Sequence, residues 1–365
     1  MNPLRISINA NKIESAYGGG NQAANTIEDY LTKKGHNVYR NLKKNLDVIL
    51  VFSSRYNAQT TSYGFDDISD YIVANPNTIV IQRVNSCDEQ RGSDLGINSS
   101  MLKYNKLADY TIFISQFIKK LFETKGLIPQ NSSQVILNGA DNQIFYPLKH
   151  KILNKHDKLK IVTHHWSSNF MKGFDIYERL DQLLDIQSFK NSFEFTYIGN
   201  VPVGVNFMNT TVIKPLSKNL LAEELRQHHI YLTAARNEAA GMHHIEGMMC
   251  GLPVLFLNSG ALPEYCRPYG IEFSLINFED KLMEIKEQYH DLHEKILTCP
   301  YSSELMASQY EKKIVELVNI KKSKPKTNRR TSKILMNKIK KPFRKLHMIH
   351  KKVSRYYKKH RDINE

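Results

Sequence analysis

Residues 230–266 read IYLTAARNEAAGMHHIEGMMCGLPVLFLNSGALPEYC. The apolar run at 230–235 is the pattern of a strand buried on both faces, and PVLFLN (253–258) repeats it. Between them Gly241 and Met242 introduce a helix expected over 243–250. Glu238 falls just after the first strand and Glu246 about one turn into the helix. One carboxylate would face a cleft from a loop and the other from the helix. The helix start between them would aim bare N–H groups outward. Two carboxylates can hold sugar hydroxyls while N–H groups hold a phosphate. Taken alone, the pair also fits two solvated glutamates at a helix start.

The same alternation runs outward in both directions. Strands are expected at 4–9, 46–52, 77–84, 110–115 and 134–139, and again at 160–166, 193–199, 211–217, 230–235 and 253–258. Helices are expected at 21–34, 116–125, 172–186, 219–228, 243–250, 278–297 and 302–320. Alternating β and α predicts doubly wound α/β units with right-handed crossovers. The stretch 138–160, with Pro147 and a lysine run, separates the two sets of strands. The expected organisation is a Rossmann-like domain over 1–150, a second over 151–300, a helix over 301–320 that can cross back to the first domain, and a tail over 321–365. Open α/β sheets bind ligands outside the carboxyl ends of their strands, so two such domains facing each other form one cleft.

A chain of 365 residues agrees with two domains, and 41% apolar with 24% charged residues is ordinary for a globular protein. Those figures exclude a collagen, a disulfide scaffold and a wholly disordered chain. No stretch approaches the ~18 apolar residues of a spanning helix, and the first twenty residues lack the apolar core of a secretory signal. A cytoplasmic protein is expected. The four cysteines, Cys87, Cys250, Cys266 and Cys299, form no C-x-x-C pair and read as small buried hydrophobes.

The net charge of +15 is localised. Residues 321–365 hold 18 of the 51 lysines and arginines but two of the 36 acids, which leaves the body nearly neutral. The body is therefore not organised around a polyanion, and nucleic acid is an unlikely partner. In the tail, 321–333 reads as a basic linker. Beyond it Leu335, Ile339, Phe343, Leu346, Ile349, Val353 and Tyr356 recur at helical spacing among lysines and arginines. Pro342 interrupts the pattern, so the helix is expected mainly from there to about Lys359. A basic amphipathic helix suits an anionic membrane surface.

Two further motifs bear on anion binding. Gly18, Gly19 and Gly20 follow the first strand and open a helix, a turn that lets backbone approach a phosphate. Lys172–Gly173 begins a helix after strand 160–166. The histidine pairs 164–165, 228–229 and 243–244 lack H-E-x-x-H spacing, and adjacent residues point apart, so no metal site is expected. His228 and His229 are expected to end a helix, where a partly charged imidazole favours the dipole.

The central stretch resembles the signature of retaining glycosyltransferases of the GT-B fold, glycosyltransferase family 4, roughly E-G-F-G-x-x-x-x-E-A-M-A-C-G-x-P-V followed by G-G-x-P-E. Glu238, Gly241, Glu246, Gly247, Met248, Cys250, Gly251, Pro253 and Val254 stand in register, then Gly260, Pro263 and Glu264. The resemblance extends to GGGNQ and KGHNV near the N-terminus, ADYTIFIS (108–115) and VILNGADNQIFYP (135–147), and so covers about residues 1–300.

The resemblance implies transfer of a sugar, with retention, from a nucleotide diphosphate sugar to a glycan or lipid-linked acceptor. It implies that Glu238 contacts the transferred sugar and that Glu246 holds the ribose. The N–H groups of Gly241, Met242 and His243 would receive the donor phosphates, with Gly18–Gly20 closing over them. Lys172 matches a lysine that clamps the pyrophosphate. The family's accompanying arginine is replaced here by His164, His165 and Trp166. Backbone near Pro215 and Leu216 would meet the base. The N-terminal domain would bind the acceptor, for which Arg83, Asn85, Asp88, Glu89 and Arg91 are the candidates. No cofactor is implied, and no D-x-D motif is present to hold a metal. The departing phosphate oxygen would take the acceptor proton. A nucleotide-sugar epimerase of the same architecture, or a non-catalytic adaptor using the basic tail, would fit the same residues.

Overall fold

The computed structural model describes residues 2–12, 19–55, 57, 59–127, 133–148 and 157–323. In the first half β1 (Arg5–Ile8), α1 (Gly19–Lys33), β2 (Asn37–Tyr39), β3 (Val48–Val51), α2 (Phe65–Ala74), β4 (Ile79–Val84), α3 (Ile97–Asn105), β5 (Tyr110–Phe113), α4 (Gln116–Thr124) and β6 (Ser133–Val135) follow one another. The second half runs β7 (Leu159–His165), α5 (Phe174–Leu183), α6 (Gln187–Ser192), β8 (Phe193–Gly199), β9 (Thr211–Ile213), α7 (Lys218–Leu225), β10 (Ile230–Thr233), α8 (Met242–Met249), β11 (Val254–Leu257), α9 (Leu262–Cys266) and β12 (Gly270–Phe273). Three helices close it: α10 (Phe278–Glu287), α11 (Tyr289–Ile296) and α12 (Ser303–Ser323).

The strands form two six-stranded sheets, ordered β2-β1-β3-β4-β5-β6 and β12-β11-β10-β7-β8-β9. Every pairing within them is parallel. Central strands such as Val48–Val51 and Val254–Leu257 are buried at every position, which is why they read as unbroken apolar runs. Strand order reverses beside β1 in one sheet and between β7 and β10 in the other. Ligands of open α/β sheets bind at such switch points. The carboxyl ends of β1, β7 and β10 therefore mark the site.

Both strands that the apolar pattern missed, β2 and β12, are short edge strands with partly exposed residues. The helix expected over 278–297 is two helices, parted at Gln288. Helices α2 and α3, with the short α6 and α9, are not among the expected helices.

One apolar cluster runs through both halves, joining Val84, Phe113 and Ile118 to Val162, Tyr231 and Phe256. α12 packs away from the sheet that precedes it. Its Met306, Ala307, Tyr310, Ile314 and Val318 share a cluster with Ile6, Ala24 and Ile27 of the first half. The crossing is pinned where Ala140 N donates to Tyr301 O (2.9 Å) and Ser303 N to Ala140 O (2.7 Å). A Cβ on Gly139 would fall 2.1 Å from Ser302 O, so the two backbones touch there. Cys87, Cys250 and Cys266 are buried free thiols, and Cys299 is half-buried. No helix among the described residues is long and apolar enough to cross a membrane. The tail from residue 324 onward, with its expected amphipathic helix, lies outside the described residues.

Candidate active site

The carboxyl ends of the two sheets face a cleft of about 820 Å³. Two helices begin on it. α1 starts at Gly19, and α8 starts at Met242 with Gly241 as a cap that has no side chain to bond the first-turn N–H groups. The two starts nearly touch: a Cβ on Gly19 would lie 2.5 Å from the Met242 side chain. A larger residue at Gly19 would have to displace the Met242 side chain. Gly20 lines the cleft beside Asn85, whereas Gly18 lies outside the described residues.

Glu238 sits between these helices, 1% exposed. Its Oε2 accepts from Lys172 Nζ at 2.6 Å and its Oε1 from Gln90 Nε2 at 3.0 Å. Burial alone would raise its carboxyl pKa, but the Lys172 ammonium outweighs that and holds it below the ordinary value. The loop that carries it is tightly constrained. Asn237 has φ +49°, a region few non-glycine residues adopt. Gly260 has φ +60°, and a Cβ there would collide with Glu238 backbone at 2.3 Å. The next two carbonyls are held by the first half: Ser115 Oγ donates to Ala239 O (2.7 Å) and Asn138 Nδ2 to Ala240 O (2.9 Å).

Glu246 is also buried and paired. His164 Nε2 donates to its Oε2 at 2.9 Å, since a carboxylate can only accept. His164 Nδ1 lies 3.1 Å from the Tyr231 hydroxyl. His164 therefore does not stand in for the absent arginine as an unengaged donor. Beneath it His165 meets the Tyr177 hydroxyl (2.7 Å) and His243 meets Thr233 Oγ1 (3.0 Å). Neither nitrogen of the fully buried His244 has a hydrogen-bond partner among the described residues. Burial, with Lys172 adding to it, lowers the pKa of His165 and His243 well below the usual value; it lowers His244 to about 4. Burial also lowers His228, whose Nδ1 faces Glu224 O (2.8 Å), so the charged helix-end role expected for it does not fit. Among the described residues no group of histidines, cysteines and acids is arranged to hold a metal ion.

Pro215 and Leu216 line the cleft from the second half; Arg83, Asn85 and Arg91 line it from the first. Asp88 and Glu89 do not line it. The Asp88 carboxylate accepts from the N–H groups of Leu95, Ile97 and Asn98, starting α3. Burial would raise its pKa, and those three donors lower it further than burial raises it. Glu89 pairs with Lys125 at 2.8 Å and accepts from Asn98 Nδ2. A short 3-10 turn over Glu89–Arg91 sends Glu89 outward and Gln90 to Glu238. Gln90, between two residues singled out from the sequence, was missed, as were the cleft-lining cations Arg55 and Lys218.

Residues 208–309 match the family model "Glycosyl transferases group 1". No curated protein sequence matches the chain. Among solved structures, a sucrose-phosphate synthase from Thermosynechococcus elongatus superposes with a TM-score of 0.63 at 13% identity, covering 87% of this chain and 100% of that one. Anabaena HepE in complex with UDP-glucose gives 0.61 at 12%, covering 86% and 100%. The catalytic domain of starch synthase IV from Arabidopsis thaliana, bound to ADP and acarbose, gives 0.58 at 12%, covering 87% and 100%. The fold is GT-B, and the matched segment supports glycosyl transfer as the activity.

The buried imidazoles carry a pH consequence. A histidine whose folded pKa is depressed stays neutral in the native state, while the unfolded chain takes up its proton below about pH 6.5. Stability from this source is complete above that value and falls as pH drops. For His244, moving from 6.5 to about 4, the loss at about pH 5 is roughly 2 kcal/mol. The depressed carboxylates of Glu238 and Asp88 stay ionised in that window. Tm should fall between about pH 7.5 and pH 5, and fall less in His244→Phe. A Tm indifferent to pH across that range, or an undiminished fall in the variant, would contradict this account of the histidine layer.

Proposed function

We propose that the cleft binds a nucleotide diphosphate sugar and transfers its sugar, with retention of anomeric configuration, to a glycan or lipid-linked acceptor. The observation that supports this most is the meeting, in one cleft, of two helix N-termini, Lys172 and two buried, paired carboxylates. N–H groups and a cation suit the pyrophosphate, and carboxylates suit the hydroxyls of sugar and ribose. In this reading Glu246, fixed by His164, accepts from the ribose. The starts of α1 and α8 and the Lys172 ammonium receive the phosphates. Glu238, held by Lys172 and Gln90, orients the sugar. Pro215 and Leu216 present backbone to the base.

The acceptor oxygen forms the new bond to the anomeric carbon as the bond to the β-phosphate oxygen breaks, and that departing oxygen takes the acceptor proton. Its developing charge falls where the preorganised N–H groups and Lys172 converge. Lys218 and Arg91, also on the cleft, add positive charge for the nucleotide. The chain's own cations are thus proposed to neutralise the pyrophosphate, and the enzyme is expected to be metal-independent.

Trp166, the only tryptophan and 59% exposed at the cleft, gives an emission signal for titrations alongside calorimetry. Glu246→Ala and Lys172→Ala should each weaken nucleoside diphosphate binding about 10- to 150-fold, the value of a charged hydrogen bond of roughly 1.5–3 kcal/mol. Glu238→Gln keeps a partner for Gln90 and should lower turnover more than nucleotide affinity. Wild-type nucleotide affinity in Glu246→Ala would sink the ribose assignment.

The tail supports a second part of the reading on sequence alone: residues 321–365 would hold the enzyme on the anionic inner face of a membrane, where lipid-linked acceptors are found. Each basic residue near such a surface contributes about 1 kcal/mol. The intact chain should sediment with anionic liposomes, and the chain ending at residue 323 should not. Liposome binding that survives truncation, or none by the intact chain, would refute it.

A further inference from the structure

Among the described residues, Gln90 is the one side chain of the first half that bonds a buried carboxylate of the cleft; its Nε2 donates to Glu238 Oε1 at 3.0 Å. Glu238 belongs to the second half, where Lys172 Nζ holds its other oxygen at 2.6 Å. Burial raises the pKa of Glu238, but the Lys172 ammonium lowers it further, so the carboxylate is ionised and can only accept. That fixes which way the amide points. Its NH2 faces Glu238 and its carbonyl oxygen faces away.

The turn that carries Gln90 is anchored from both halves. Arg91 N donates to Asp88 O (2.9 Å) and Gly92 N to Glu89 O (3.2 Å), which closes the 3-10 turn over Glu89–Arg91. Lys125 ties Glu89 to the first half at 2.8 Å. From the second half, Asn237 Nδ2 donates to Glu89 O (3.4 Å) and Asn169 Nδ2 to Arg91 O (3.3 Å). The amide is thus delivered to the cleft on a fixed backbone, and Gln90 is half-buried there. Its Oε1 meets Ser86 Oγ at 3.4 Å, and an amide oxygen has a second lone pair for a further donor. The residue type suits the place. A second ammonium on Oε1 would over-neutralise Glu238, and a carboxylate would repel it; an amide keeps the charge and adds direction.

We infer that Gln90 is a positioning and specificity residue for the transferred sugar: its NH2 locks the orientation of Glu238, and its carbonyl oxygen is a second acceptor beside that carboxylate, so that the two side chains hold two hydroxyls of one sugar ring. This rests on the donor reading above, which takes Glu238 to meet the sugar. It adds that the sugar subsite is completed by the first half, while the nucleotide is held without Gln90.

Calorimetry on the full chain separates the sugar from the nucleotide. UDP-glucose, UDP-galactose, UDP-N-acetylglucosamine, GDP-mannose and ADP-glucose are titrated into the wild type, each against its own nucleoside diphosphate. The pair with the tightest sugar nucleotide is then titrated into Gln90→Met and Gln90→Glu. The first variant keeps the length of the side chain and removes donor and acceptor; the second keeps an acceptor oxygen and removes the donor. Gln90→Met should bind the nucleoside diphosphate within about twofold of wild type and the sugar nucleotide about tenfold more weakly, the value of a hydrogen bond to a charged group. In Gln90→Glu the ratio of the two dissociation constants should shift at least as far. A merely structural role would lower Tm and weaken both ligands alike. Should Gln90→Met not fold, the ratio in the near-isosteric Gln90→Glu decides. An unchanged ratio, or an equal loss for both ligands, overturns the inference alone. Failure of every nucleoside diphosphate to bind the wild type overturns the donor reading, and this inference with it.

Discussion

The loop from Asn237 to Gly241 is the structural link on which the rest of the molecule depends. It ends β10, begins α8 and is gripped from the opposite half. Gln90 bonds the Glu238 carboxylate, Ser115 bonds Ala239 O, and Asn138 bonds Ala240 O. Asn138 Oδ1 also accepts from Arg83, and its backbone N–H donates to the Tyr265 hydroxyl. Five residues thereby set the position of the buried carboxylate, the start of α8 and the spacing between the two sheets. The left-handed backbone at Asn237 and the close approach of Gly260 hold the loop in this shape.

Electrostatics in the cleft follow from that geometry. Two carboxylates are buried, Glu238 held by Lys172 and Gln90 and Glu246 by His164, while Arg55, Arg83, Arg91 and Lys218 have no ion-pair partner among the described residues. The surplus is positive and lies on both walls. Helix starts reinforce it, because their N–H groups carry partial positive charge. Such a cleft favours a ligand with several negative charges placed between the two sheets. The buried His165, His243 and His244, whose pKa values burial lowers, add no charge near neutral pH; His244 packs edge to face with Tyr265 and His165 with His243, and these contacts fix α8 against β7.

Much of this was legible in the sequence, and for physical reasons. Central parallel strands are buried on both faces, so VILV and VLFL announce themselves as apolar runs, whereas the edge strands NVY and GIEF do not. The glycines that begin α1 and α8 could be read because helix starts and close backbone approach restrict residue type there, whereas Glu238, Glu246 and Lys172 stood out through the resemblance to the glycosyltransferase signature and not through any local pattern. Side-chain direction in the irregular segment 85–91 could not. Asp88 and Glu89 look as available as Gln90 in sequence, yet a single tight turn sends them to α3 and Lys125. The His164–Glu246 pair joins residues 82 apart, a contact no local pattern announces.

The claim tested most directly is that this cleft is built for a nucleotide diphosphate sugar. Thermal unfolding of the intact chain should be followed with UDP-, GDP-, ADP- and CDP-sugars in turn. At ~100 times its dissociation constant a specific donor adds about 2.7 kcal/mol, and Tm rises by several degrees in a saturable way. That rise should be largely absent in Lys172→Ala. No shift with any of the four, or one that Lys172→Ala leaves intact, would contradict the account.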